Sequence, residues 1–151
     1  MLKVYSLQRR RERYQITYTW RMIENYVPNI GLKTAHHIHR GRSCVVPKIS
    51  PKATLKIKNL KEASFSVMGP RLFNSMPARI RNMNKCSTEC FKRNLDNYLT
   101  TVPDEPQIQG YTSQRRAESN SLLDMIALVN TSQDGGDSTM STTRGGHPWS
   151  P

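Results

Sequence analysis

The sequence predicts a small α+β domain, with an N-terminal amphipathic helix, a short antiparallel β-hairpin, C-terminal helices and a disordered tail. Three patterns carry that expectation. Ile16, Trp20, Ile23 and Val27 recur at spacings of four, three and four, which places them on one helical face. Ala53–Lys58 and Ala63–Val67 alternate apolar with polar residues, the period of a half-buried strand. Phe91, Leu95, Tyr98 and Leu99 return to helical spacing.

Taken in order, the first helix covers residues 7–27, with Tyr14, Tyr18, Met22 and Tyr26 as a second stripe beside the first. A helix with two stripes wants partners on both sides. Val27-Pro28-Asn29 and Gly31 end it, because proline removes a donor and glycine permits a left-handed cap. Residues 32–43 read as a basic, histidine-bearing loop, followed by a short apolar strand at Cys44-Val45-Val46 that Pro47 stops. The alternating runs 53–58 and 63–67 form the hairpin across Asn59-Leu60-Lys61-Glu62. Two strands alone are marginal and need a helix against their apolar face. Gly69-Pro70 breaks the second strand, and Pro70 opens a short helix bearing Leu72 and Phe73. Ser75 and Pro77 start a further turn with Ile80, and Ser87 caps the last amphipathic helix, with Glu89 in its positive first turn.

Pro103-Asp104-Glu105-Pro106 is a rigid acidic break. Beyond it, residues 107–130 read as a linker with a short helix at 121–130, started by the capping pair Ser121 and Asp124. Residues 131–151 are Ser-, Thr-, Gly- and Asp-rich and are expected to be disordered. The folded unit is therefore expected to span residues 1–106, with residues 107–151 dispensable.

Composition limits the function. Apolar residues make up 36% of 151, enough for one modest core. No apolar run approaches the ~18 residues of a membrane span, and no signal-peptide core follows Met1. Three cysteines without a secretory context point to reduced thiols in the nucleus or cytoplasm. Residues 1–100 hold 20 Lys and Arg against 5 Asp and Glu, whereas residues 101–151 hold 3 against 6. The first two thirds thus attract polyanions, and RNA or DNA is the expected partner.

The candidate nucleic-acid-binding residues are the cluster Arg9, Arg10, Arg11 and Arg13, the loop residues Arg40 and Arg42, and the group Lys52, Lys56, Lys58, Arg79 and Arg81. The arginine cluster reads equally well as phosphate contacts or as the solvated start of a helix. Trp20 and the tyrosines can stack on bases, but their helical spacing favours core packing. His36, His37, His39, Cys44, Cys86 and Cys90 match no zinc-site spacing, so neither a metal nor any other cofactor is expected. No nucleophile signature is present.

The run Gly69-Pro70-Arg71-Leu72-Phe73-Asn74-Ser75-Met76-Pro77 follows Arg9-Arg10-Arg11-Glu12-Arg13-Tyr14 and precedes Val102-Pro103-Asp104-Glu105-Pro106. Lesser anchors lie at 18–20, 27–29, 41–47, 91–99 and 119–124. In this order and spacing they resemble the C-terminal end of reverse transcriptases from non-LTR, LINE-type retrotransposons of the jockey-like kind, over roughly residues 5–125. The parent proteins are RNA-directed DNA polymerases, and the resembling region lies after the polymerase. The chain departs from the parent where chemistry is concerned. It has no Asp-Asp pair to hold magnesium and no endonuclease set of acids and histidine. The resemblance therefore implies a non-catalytic accessory segment that binds RNA or DNA. Alternatively it implies a structural segment packed on the parent polymerase, or a truncated relic reading frame without independent function.

Overall fold

The computed structural model describes residues 5–104 and 121–137. Among the described residues there are six helices, α1 Leu7–Ile23, α2 Leu55–Ala63, α3 Phe65–Ser75, α4 Ala78–Arg81, α5 Thr88–Leu99 and α6 Leu122–Asp137, and one antiparallel hairpin, β1 Thr34–His37 with β2 Gly41–Cys44. The α+β class is as expected. The hairpin is elsewhere in the chain.

α1 begins at Ser6, whose hydroxyl accepts the Arg9 N–H at 3.1 Å. Asp104 in turn accepts the Ser6 N–H at 2.7 Å and its hydroxyl at 2.5 Å. A carboxylate therefore sits at the positive end of the helix. α1 stops at Ile23, four residues before the expected end at 27. The cause is Asn25, at φ +62°, whose N–H bonds Met22 O while the Tyr26 N–H bonds Arg21 O. That pair of bonds is a Schellman cap. Asn25, not Pro28 or Gly31, ends the helix.

The largest correction concerns residues 53–67. No strand forms there. Thr54 caps α2, and Ser64 ends α2 and begins α3 at φ −71°, ψ 153°. α2 buries none of its residues. Gly69-Pro70 lies inside α3 and does not break it. A Cβ on Gly69 would stand 2.7 Å from the Thr19 hydroxyl, so the glycine is what lets α3 approach α1. The strands form instead from residues 34–44, where a loop was expected, and only Cys44 of the expected Cys44–Val46 strand belongs to one. Thr34 pairs with Cys44 and His37 with Gly41, leaving Ile38, His39 and Arg40 as the turn. Gly41, at φ +73°, closes that three-residue loop as glycine readily does.

The core is built on Trp20. Its ring stacks on Phe91 with centroids 4.3 Å apart and planes 9° from parallel, and its N–H donates to Met83 O at 2.8 Å. Ile16, Leu72, Phe73, Met76, Ile80, Leu95 and Leu99 close around the pair. The Ile80 turn and the Ser87-capped α5 stand where the sequence places them.

α6 also joins this core. It runs through Asp137, past residue 131 where structure was expected to end, while 138–151 and 105–120 lie outside the described residues. Leu122 and Met125 are buried in the core cluster. The Leu122 N–H reaches both oxygens of the buried Glu12 carboxylate, at 3.1 and 2.9 Å. The described part of 107–151, residues 121–137, thus packs on the core through Leu122 and Met125. Leu122→Ala is expected to lower unfolding free energy by about 2–5 kcal/mol. Ending the chain at Pro106 is expected to lower the melting temperature further, both read by thermal circular dichroism. An unchanged melting temperature in either would show that α6 adds nothing to the fold.

Candidate nucleic-acid interface

The eleven candidate cations separate into two groups. Arg9 is 0% exposed. Its guanidinium donates to Val102 O at 3.2 Å and Pro103 O at 2.6 Å, and its Nε lies 3.8 Å from both Glu12 and Asp104. It cannot reach a phosphate. Arg13 grips Asp96 with two bonds, at 2.6 and 2.9 Å, and Tyr5 donates its hydroxyl to the same carboxylate at 3.1 Å. Burial first, and then the Asp96 charge, push the Tyr5 phenol up to about 12. Arg10 and Arg11 remain exposed, although Arg10 Nε also donates to Tyr5 O at 3.0 Å. The cluster at 9–13 is therefore half internal.

Arg42 and Arg81 face inward as well. Arg42 donates to Glu24 at 2.6 Å, to Arg81 O at 2.8 Å and to Met83 O. Arg81 returns a bond to Arg42 O at 2.7 Å and another to Met76 O at 2.9 Å. The exchange fastens β2 to α4. A planar fork with five donors suits this work, since each guanidinium satisfies several carbonyls at once.

The remaining candidates face water. Arg40 is exposed in the hairpin turn, and Arg79 is exposed with its guanidinium carbon 6.0 Å from the Tyr98 ring centre. Lys52 and Lys56 are exposed and Lys58 is half-buried, on α2 or just before it. Lys33, Lys48, Lys61, His36, His37 and His39 join them on the surface. Lys33, Lys48, Lys61 and the three histidines are not among the eleven cations that the sequence proposes as contacts. The pattern that marks them is a run without acid: from Lys33 to Lys61 there is no Asp or Glu. Meanwhile Glu12, Glu24 and Asp96, three of the five acids in residues 1–100, are tied to internal partners. Among the described residues, no carboxylate lies within ion-pair distance of Lys48, Lys52, Lys56, Lys58 or Lys61.

Among the described residues, no group of three His, Cys, Asp or Glu converges as metal ligands would. Cys44, Cys86 and Cys90 are free, and burial pushes the Cys44 thiol up to about 11, away from the reactive thiolate. No helix among the described residues is long and apolar enough to cross a membrane. No protein-family model matches the chain, and no curated protein or solved structure is significantly similar to it.

Two tests separate internal from external cations. Arg9→Ala is expected to cost about 3–5 kcal/mol in urea denaturation, because it strands buried carboxylate and carbonyl groups. Arg10→Ala with Arg11→Ala is expected to stay within about 0.5 kcal/mol of wild type. Equal losses would contradict this division. The Glu12 carboxyl gives a pH test. Burial raises it above its ordinary 4.5, against the lowering bonds from Gln8 and Leu122. A raised folded-state value binds the proton more tightly than the unfolded chain does. Its stabilisation is therefore complete below about 4.5 and is lost as pH rises through the raised value. Urea melts from acid to neutral pH should accordingly show Glu12→Gln gaining on wild type as pH rises. A difference that is flat with pH would refute the assignment.

Proposed function

We propose that the chain is a non-catalytic accessory segment of the kind that follows the polymerase in non-LTR reverse transcriptases, and that it holds RNA or DNA on a lysine-bearing surface centred on α2. The observation that carries this reading is α2 itself. It buries nothing, and Lys52, Lys56, Lys58 and Lys61 stand on or beside it without carboxylate partners among the described residues. A solvated ammonium array of this kind suits phosphate neutralisation, which is driven by counterion release and is indifferent to sequence. The order of the anchor motifs supports the parentage.

A second reading, packing on a parent polymerase, has its own observation. Leu55 is 74% and Leu60 63% exposed on the same helix. An apolar pocket of about 140 Å³, lined by Met22, Ile30, Leu32, Val45, Pro47 and Phe65, opens next to its C-terminal end. On that view the lysines only keep an apolar docking face soluble.

Titration of a labelled single strand at several salt concentrations decides between them. If about five phosphates are contacted, log K should fall against log salt with a slope near about −3.5. Replacing Lys52, Lys56, Lys58 and Lys61 by alanine should weaken binding for every sequence and flatten that slope by about 2 to 3. An unchanged slope in the variant would remove α2 from the interface and favour the packing role.

A further inference from the structure

The segment between α1 and α2 is built more firmly than a connection requires. Residues 32–43 carry Lys33, His36, His37, His39, Arg40 and Arg42 and no acid. Such a stretch has no apolar face with which to fold, and a lone two-stranded hairpin is marginal in water. Here polar side chains from elsewhere in the fold hold it. Asn74 accepts the Cys44 N–H at 2.7 Å and donates to Cys44 O at 2.9 Å. Asn82 accepts the Arg42 N–H at 2.9 Å, and a Cβ on Gly41 would stand 2.3 Å from its side-chain oxygen. Arg42, Arg81 and Glu24 complete the clamp. All of these bonds go to β2. β1 and the turn receive none of them and stay at the surface, with Ile38 92% exposed at the tip. His36, His37, Ile38, His39 and Arg40 ring a shallow hollow there.

We propose that this hairpin is a preorganised ribbon that seats its outer strand and tip, residues 34–40, in the major groove of duplex DNA. The inference rests on the nucleic-acid reading above and adds the form of the ligand. Three observations lead to it. The hairpin segment carries Lys33 and Arg40 at the surface and no acid, which favours a polyanion over a neutral peptide strand added to the β1 edge. A two-stranded ribbon is a shape that the B-form major groove, about 12 Å wide, admits. The A-form groove of duplex RNA is too deep and narrow for it. Four residues rising about 3.4 Å each make a ridge of about 14 Å, or about four base pairs. Ile38 then leads into the groove, where a thymine methyl is the apolar partner available. The imidazoles and Arg40 meet base edges and phosphates. Because β2 is already fixed, little ordering is lost on binding.

The test uses the full chain with three labelled probes of one sequence, about 20 nucleotides long: duplex DNA, single-stranded DNA and duplex RNA, read by fluorescence anisotropy at about 100 mM salt. The tip variant carries Ile38→Ser, His39→Ala and Arg40→Ala, all at exposed positions. It is expected to bind duplex DNA about tenfold more weakly and the other two probes within about twofold of wild type. The α2 lysine variant should weaken all three alike. A tip variant that loses all three equally, or none, overturns the groove assignment while leaving nucleic-acid binding standing. A wild-type chain that binds no probe overturns the nucleic-acid reading itself. Dimethyl sulfate footprinting supplies a readout on the wild-type protein alone. Protection of guanine N7, which lies in the major groove, supports the proposal, and protection confined to adenine N3 in the minor groove refutes it.

Discussion

The guanidinium of Arg9 lies out of water between the carbonyls of Val102 and Pro103, with Glu12 and Asp104 each 3.8 Å from its Nε. The segments after α5 and before α6 both close on the fold at this point. The chain leaving α5 must return here to supply the two carbonyls. Asp104 continues from them to Ser6 and caps α1. One turn along α1 from Arg9, Glu12 accepts the first N–H of α6. One side of a single helix end thus receives the segment after α5 and the start of α6. Removing charges from water costs several kcal/mol per ion, and for Arg9, whose buried Nε has no hydrogen bond of its own, two carbonyl bonds and two carboxylates nearby offset it. That requirement fixes the register of three segments far apart in sequence. It also explains why α6 belongs to the core although the basic, patterned part of the chain ends near Leu99.

The parts of the fold that were legible in the sequence are those that bury a face. α5 shows its period because Phe91, Leu95 and Leu99 enter the core, and Ser87 caps it where a capping residue stands. α2 reads ambiguously: Ile57, Leu60 and Ala63 fall at helical spacing, but in so short a run with no buried face the local alternation from Leu55 to Lys58 competes with it. Its alternating leucine, isoleucine and lysine then imitate a strand. Pro70 misleads for a related reason. A proline inside a helix gives up one N–H bond, here to Ser66, an exposed residue, while its ring packs in the buried face of α3. The hairpin was invisible because its determinants are not local. Asn74, Arg81 and Asn82 lie 30 to 40 positions from the strand they hold.

The candidate site was legible in its charge and not in its geometry. Counting lysine with arginine hides a chemical difference. Arg9, Arg42 and Arg81 each bond backbone carbonyls, while Arg13 pairs with Asp96. A guanidinium is weakly hydrated and its donors are set in a fork, so it serves well inside a protein. An ammonium is strongly hydrated and stays outside. In this chain the described lysines stay at the surface, while the arginines divide: Arg9, Arg13, Arg42 and Arg81 turn to internal partners, and Arg10, Arg11, Arg40, Arg71, Arg79 and Arg93 are exposed to any external ligand. The acids bound to the inward arginines are withdrawn with them, so the outer field is set by the acid-free run from Lys33 to Lys61.

That run contains two presentations of charge with opposite mechanics. α2 joins the body at Ser64, which ends one helix and begins the next, and no buried side chain holds it. An element with so few buried contacts opens at low free energy, so its lysines can follow a phosphate backbone of any shape. The hairpin is clamped along β2 by side chains of the α1 end, α3 and the α4 end, and its ridge is tied to that strand through the β1–β2 ladder, so it adapts less than α2. Compliant charge gives affinity that salt weakens and sequence hardly affects. Fixed geometry gives discrimination of shape, because a ligand that does not fit leaves polar groups unpaired. On the proposed reading the two elements divide these tasks.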